Sequence, residues 1–272
     1  MGKTILITNA KGGVGKTAAT YAIAYNLAER GKKVLLVDLD QQRNLTMSFL
    51  SGEQLKEIKC TSQGIIENFL KGQPAEDQSQ IFITVAPNIS LIPSASTIEE
   101  LNGYLFHIKN KYQDDIRFAT VLKRILRGST FKQFDYIFID ASSSPDLLKV
   151  NTMVASDYIF IPVLLEEDSY KGAILVTNFI SKTVTKLNSS AIINGIFFNM
   201  YNPRTRLAKI VESWFEERFC GLLMKTKIRK NVALAEAKCM RKSLKEYNPE
   251  CNAAADFAAL TGEILNIINK QL

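Results

Sequence analysis

The chain is poor in the residues that build metal centres and disulfide frameworks. It has one histidine, His107, and four cysteines, Cys60, Cys220, Cys239 and Cys251. No two cysteines form a Cys-x-x-Cys pair. Neither a zinc site nor a disulfide framework is expected, and the cysteines read as reduced thiols of a cytosolic protein. No apolar run approaches the roughly 18 residues that suggest a membrane span. A secretory signal is not expected, because a β-type run begins almost at once. No internal repeat or low-complexity linker interrupts the chain. No N-terminal extension is available for a helix-turn-helix, so operator-specific autoregulation is not expected. His107, within Leu105-Phe106-His107-Ile108, is expected near a helix end in a structural role.

What is present is ordinary in bulk and uneven in placement. With 272 residues, 46% hydrophobic and 22% charged, the chain can bury a sizeable core. Its net charge of +7 is concentrated. From Tyr201 to Lys245 twelve Lys or Arg stand against four Glu, a net +8, which leaves about −1 for the other 227 residues. A basic excess confined to one segment is the footprint of a polyanion partner. Aromatics are not interleaved among these bases, which argues against a platform for stacked single-stranded bases.

Apolar runs at Thr4–Thr8, Lys33–Asp38, Ile81–Val85, Ile89–Ile92, Phe134–Asp140, Asp157–Val163 and Ala191–Met200 read as strands, with Leu222–Met224 a last short one. Helical spacing covers Ala18–Arg30, Ser96–Phe106, a stretch through Ile116, Ala119, Leu122, Ile125 and Leu126 that ends at Gly128, then Tyr170–Leu187, Thr205–Phe219, Val232–Ala237 and Ala253–Asn269. Residues 43–80 read as short helices and loops. In the 205–219 helix Leu207, Ile210, Val211 and Trp214 are expected to face inward. Strands alternate with helices to the end. The fold class is therefore α/β, a doubly wound and mostly parallel sheet flanked by helices, with residues 1–272 as one domain.

The most informative stretch is Asn9-Ala10-Lys11-Gly12-Gly13-Val14-Gly15-Lys16-Thr17. It lies between the first strand and the first helix, the context that makes a phosphate loop credible. Its glycines let backbone N–H groups turn inward as an anion nest, and the helix that follows aims its positive end at the same point. Lys16 can reach β- and γ-phosphate oxygens, and the Thr17 hydroxyl can sit on magnesium. Ala10 stands where the usual pattern has its first glycine, and a second lysine, Lys11, lies beside it. Asp38 and Asp40 follow the second strand. Asp140 closes the apolar strand at 136–139, the placement of a carboxylate that holds a magnesium water. Either Asp38 or Asp40 can serve the chemistry from its position, the other being structural or a partner of the metal's water shell.

These motifs resemble the ParA/Soj partition ATPases. Lys-Gly-Gly-Val-Gly-Lys-Thr at 11–17 is similar to the deviant Walker A motif, and Asp-x-Asp-x-Gln at 38–42, with Asn44 and Thr46, to the family's switch segment. Phe134 to Asp140 is similar to its Walker B strand. Leu91-Ile92-Pro93-Ser94 and Ala233-Leu234-Ala235-Glu236-Ala237 are further matches. The resemblance covers nearly the whole chain in order and implies a P-loop NTPase of the deviant Walker A type.

It further implies an ATP- and Mg2+-dependent switch in chromosome or plasmid partition. ATP would drive a sandwich homodimer, with Lys11 of each subunit reaching the phosphates of the other. The dimer would bind double-stranded DNA without sequence preference. A ParB-type partner would stimulate slow hydrolysis. The protein would be cytoplasmic and nucleoid-associated when ATP-bound. Lys11, Lys16 and Asp40 are then the catalytic residues, with Asp40 orienting or deprotonating the attacking water. ATP binding falls to Lys11, Gly12, Gly13, Val14, Gly15, Lys16, Thr17 and Ala18, with Asn199, Met200 and Arg229 about the adenine pocket. Magnesium falls to Thr17 and, through water, Asp140 and Asp40. Arg204, Lys230 and Lys242 are the implied DNA contacts. Gln41 replaces a usual proline, so a looser switch turn is expected, and Ser142-Ser143-Ser144 departs from a Pro-Pro pair.

Three rivals are weighed against this. A MinD-like membrane ATPase needs a basic amphipathic C-terminal helix, but only Lys270 lies near the stripe Phe257, Leu260, Ile264, Ile267 and Ile268, which reads as core. An electron-transfer ATPase needs paired cysteines. A non-enzymatic DNA-binding module would bind DNA equally with or without ATP.

Overall fold

The computed structural model describes residues 2–73, 81–112, 118–187 and 191–270. Among these residues there are seven strands, β1 (Lys3–Ile7), β2 (Val34–Leu39), β3 (Ile83–Ala86), β4 (Ile89–Ile92), β5 (Tyr136–Ala141), β6 (Tyr158–Val163) and β7 (Ile192–Phe198). They form one sheet in the order β3-β4-β2-β5-β1-β6-β7. Every pairing is parallel except β3 with β4, an antiparallel hairpin at the edge. The hairpin turns through Asn88, which takes a left-handed φ of 61°, a conformation asparagine tolerates.

The central strands read as continuous apolar runs because both faces of the sheet are covered. In β2, Val34 and Leu36 enter one core while Leu35, Val37 and Leu39 enter the other. The first core lies under α1 (Lys16–Ala28), α2 (Asn44–Phe49), α10 (Ala233–Cys239) and α12 (Asn252–Lys270). The second lies under α4 (Ser62–Leu70), α5 (Ile98–Tyr112), α6 (Val121–Leu126), α7 (Leu147–Ala155), α8 (Glu167–Leu187) and α9 (Arg206–Phe219). Two short helices, α3 (Gly52–Lys56) and α11 (Leu244–Tyr247), each start with a serine capping box, at Ser51 and Ser243. The C-terminal stripe is core: Phe257, Leu260, Ile264 and Ile268 are fully buried.

Several local expectations are corrected. Leu207 and Ile210 are exposed on α9, and the buried face is Ala208, Val211, Phe215 and Phe219. The helix rotates this way because Phe215 meets Phe198 and Tyr170 edge-on, a larger apolar contact than the two aliphatic side chains offer. His107 lies inside α5 and is exposed, not near a helix end. Leu222–Met224 forms a single bridge, Leu223 with Ile196 of β7, rather than a strand. Ile116 lies outside the described residues.

Candidate active site

The phosphate loop, Asp38 and Asp40, and Asp140 hang from the carboxyl ends of β1, β2 and β5, where open α/β sheets bind ligands. The loop after β1 is pinned by the fully buried Asn9. Its Nδ2 donates to the Pro162 carbonyl at 2.7 Å, and its Oδ1 accepts from the Lys11 N–H at 3.0 Å. Gly13 and Gly15 take left-handed φ values of 73° and 86°. Gly15 has a second reason to be glycine, since a Cβ there would lie 2.1 Å from Asn199 Nδ2. That Nδ2 donates to the Val14 carbonyl at 2.8 Å, tying β7 to the loop. Among the described residues no side chain caps α1, which leaves its first N–H groups for the cleft.

Lys16 is buried to 8% exposure, and its Nζ donates to Ser143 Oγ at 2.6 Å. Burial lowers its pKa, against the pull of Asp140 and Asp40. Thr17 Oγ1 donates to Asp140 Oδ2 at 2.7 Å. Asp140 is fully buried and its other oxygen, Oδ1, has no partner among the described residues. Burial, then the neighbouring Asp38, raises its pKa. A buried acceptor without a donor marks a place for an ion or ordered water. The oxygen donors and the free carboxylate lone pairs suit magnesium, which prefers oxygen ligands and keeps several waters.

The two aspartates after β2 divide their work. Asp38 is fully buried and spends both oxygens on the chain. Oδ1 accepts from the Asp40 N–H, and Oδ2 accepts from the Thr46 N–H and Oγ1 at 2.8 and 2.7 Å. Thr46 Oγ1 in turn accepts from the Ser94 N–H. Asp40 is half-buried and lines the cleft, with Oδ1 accepting from the Gln42 N–H. The turn through Gln41 is thus closed by hydrogen bonds without a proline, including Arg43 N–H to the Asp40 carbonyl.

The cleft between these loops encloses about 510 Å³. Gly12, Gly13, Gly15, Lys16, Thr17 and Ala18 line one side, and Asp40 to Gln42 with Ser142 to Ser144 another. Asn199, Met200 and Arg229 do not line it. Asn199 braces the loop instead, Met200 is 40% exposed, and Arg229 forms a two-pronged pair with Asp256 at 2.6 to 3.2 Å. Lys11 does not line this cleft and pairs with Glu166 at 2.5 Å.

Ser143, noted in the sequence only as part of a departure from the family pattern, completes the site together with two residues that the sequence did not single out, Lys149 and Lys238. Ser143 receives Lys16. Lys149, 2% exposed, donates to the carbonyls of Asn9, Ser142 and Ser143, joining the phosphate loop to the loop after β5. Lys238 of α10 lines the cleft. A signal for Lys238 existed, since it stands four residues after the buried Leu234 and so on the inward face of its helix. Nothing in the sequence marks Lys149, whose neighbours are apolar at helical spacing.

The basic segment is sorted by its surroundings. Lys227 pairs with Glu212, Arg229 with Asp256, and Arg241 donates to the Leu50 carbonyl. Arg204, Lys230 and Lys242 are exposed and have no ion pair among the described residues.

A protein-family model described as an AAA domain matches residues 2–193. Over 265 residues the chain is 31% identical to the chromosome-partitioning ATPase Soj of Treponema pallidum (strain Nichols), covering 97% of this chain and 98% of that protein. It is 33% identical over 264 residues to the sporulation initiation inhibitor protein Soj of Bacillus subtilis (strain 168), covering 97% and 98%. The chain belongs to the ParA/Soj family of P-loop ATPases. A solved plasmid partition protein from Borrelia burgdorferi B31, bound to AMPPNP, is similar to this ParA/Soj ATPase with a TM-score of 0.74 and 25% identity, covering 100% of both chains. The family match runs through the phosphate loop, the switch turn and the β5 aspartate, the parts that the fold brings to one cleft.

Proposed function

We propose that this ParA/Soj ATPase is a DNA-partition switch that binds Mg-ATP in the β1–β2–β5 cleft, dimerises, and holds DNA until hydrolysis releases it. The observation that carries this reading is the Thr17–Asp140 pair with its unpartnered Oδ1, set beside the buried Lys16. Backbone N–H groups of residues 12–18 would cradle the phosphates, and Lys16 would leave Ser143 for phosphate oxygens. Thr17 and, through water, Asp140 and Asp40 would hold magnesium, which when bound neutralises charge on the β- and γ-phosphates. Asp40 is the side chain free to orient or deprotonate the attacking water, because Asp38 is committed to the turn. Water then displaces ADP from the terminal phosphoryl group.

Lys11 is the residue for which a single subunit has no catalytic use. Its pairing with Glu166 keeps it out of its own cleft, which suits a lysine that serves a second subunit's phosphates. Such a charge supplied in trans stabilises the transferring phosphoryl group only when the dimer is assembled. The exposed Arg204, Lys230 and Lys242 would then take phosphates of double-stranded DNA, and a ParB-type partner would accelerate hydrolysis. A membrane role finds no support in the C-terminal helix, whose apolar stripe is buried. Among the described residues no helix is long and apolar enough to cross a membrane.

The test is a pair of variants. Lys16→Ala is expected to lose ATP binding. Asp40→Ala is expected to keep the ATP-bound dimer while hydrolysing little. Normal hydrolysis by Asp40→Ala would remove the catalytic assignment.

A further inference from the structure

Among the lysines and arginines of the basic segment, Lys238 stands apart. Lys227, Arg229 and Arg241 have all found acceptors in the fold. Other members of the segment, such as Arg204, Lys230 and Lys242, lie in water. Lys238 is neither paired nor fully solvated. It is half-buried, and no hydrogen bond or ion pair reaches its ammonium among the described residues. Burial lowers its pKa, and the nearest charges acting on it include Asp140 and Asp38. Those two carboxylates are themselves buried, and Asp38 has spent both oxygens elsewhere.

The helix makes this placement deliberate. Ala233, Leu234 and Ala237 are buried against the α1 core, which fixes the rotation of α10. Lys238 follows Leu234 by one turn and so leaves the helix on the inward face. Its side chain ends in the same cleft as Lys16, Thr17 and Asp40. A partly desolvated ammonium without a partner costs free energy that an anion in the cleft would recover.

We infer that Lys238 is a ligand of the nucleotide's phosphate groups, reaching them from α10 while the phosphate loop holds them from β1. This rests on the reading of the cleft as a nucleotide site. Its consequence is a mechanical link. Lys230 and Lys242 flank α10, and the Lys242 N–H bonds the Ala237 carbonyl. A phosphate held by Lys238 therefore fixes the helix on which two of the exposed basic residues depend.

The experiment is equilibrium binding of Mg-ATPγS to wild type, Lys238→Gln, Lys238→Arg and Lys16→Ala, with steady-state ATPase kinetics on the first three. A hydrogen-bonded charge pair predicts that Lys238→Gln weakens binding about tenfold or more, raises KM more than it lowers kcat, and is largely rescued by arginine. Wild-type affinity in Lys238→Gln, with binding lost in Lys16→Ala, overturns this inference alone. Wild-type affinity in both variants overturns the nucleotide reading of the cleft. A second measurement needs no variant: amine-reactive labelling of the wild-type protein, read by mass spectrometry. Lys238 is expected to be modified in the free protein and protected by Mg-ATPγS, and equal modification in both states contradicts the assignment.

Discussion

Thr17 Oγ1 donates to Asp140 Oδ2 across 2.7 Å and 123 residues of chain, bringing the start of α1 to the end of β5. The bond leaves Asp140 Oδ1 buried and unpartnered among the described residues, so half of the carboxylate is held ready. Asp140→Asn keeps the shape but replaces one acceptor with a donor. Outer ligands of a metal typically contribute 10–100-fold to its affinity. A magnesium titration of ATPase activity should therefore shift upward by about 10–100-fold in Asp140→Asn. An unchanged titration removes Asp140 from the metal's shell.

Gly15 is held by its backbone and by Asn199 at once. Alanine at this position would be strained at φ 86° and would bring its Cβ to 2.1 Å from Asn199 Nδ2. Relief requires moving Asn199 off the Val14 carbonyl. The expected cost is about 1–3 kcal/mol for the backbone, plus that of breaking a buried hydrogen bond. Urea unfolding of Gly15→Ala measures it, and ATP binding should fall with it.

Lys149 makes stability depend on pH. Burial first, and the charge of Lys16 second, bring its pKa down to about 8. In the unfolded chain a lysine titrates near 10.4. Between these values the unfolded chain binds more protons than the folded one, so stability rises with pH through that window. The cost, on the order of 3 kcal/mol, is fully present below pH 8. Lys16, Lys123 and Lys238 are lowered as well and add to the slope, so the difference between wild type and Lys149→Met is the test. From pH 7.5 to pH 9.5 the wild-type gain in urea should exceed that of Lys149→Met by about 2 kcal/mol. Equal slopes would mean that Lys149 is not desolvated as its surroundings imply.

The division of the basic segment gives matched variants for DNA binding. Alanine at Arg204, Lys230 or Lys242 should weaken binding alike for all sequences and lower the salt slope by about one for each DNA phosphate that is no longer neutralised. Lys227→Ala should leave the slope unchanged, because Lys227 is committed to Glu212. A slope that falls as much for Lys227→Ala as for the exposed three contradicts the assignment.

The fold was legible because its strands are apolar runs between helical periods and its phosphate loop has fixed spacing. Asp140 and Thr17 were legible for the same reason, each standing at the end of a strand or the start of a helix. The division between Asp38 and Asp40 was not, because it depends on Thr46 and on the Ser94 backbone meeting one carboxylate. Leu207 and Ile210 misled because helical spacing identifies an apolar stripe but not which part of it Phe215 will bury. Arg229, assigned by resemblance to the adenine pocket, is held by Asp256 on a helix 27 residues later, a pairing that its sequence neighbours do not reveal. Nothing in the sequence marks Lys149, because its place depends on the Asn9, Ser142 and Ser143 carbonyls converging on it in the fold.

The claim that nucleotide state controls DNA affinity is tested most directly by measuring double-stranded DNA binding with Mg-ATP, with Mg-ADP and without nucleotide, at one fixed salt concentration. Wild type is expected to bind tightly with ATP alone, Asp40→Ala to retain that binding and Lys16→Ala to lose it. Equal binding in all three nucleotide conditions would contradict it.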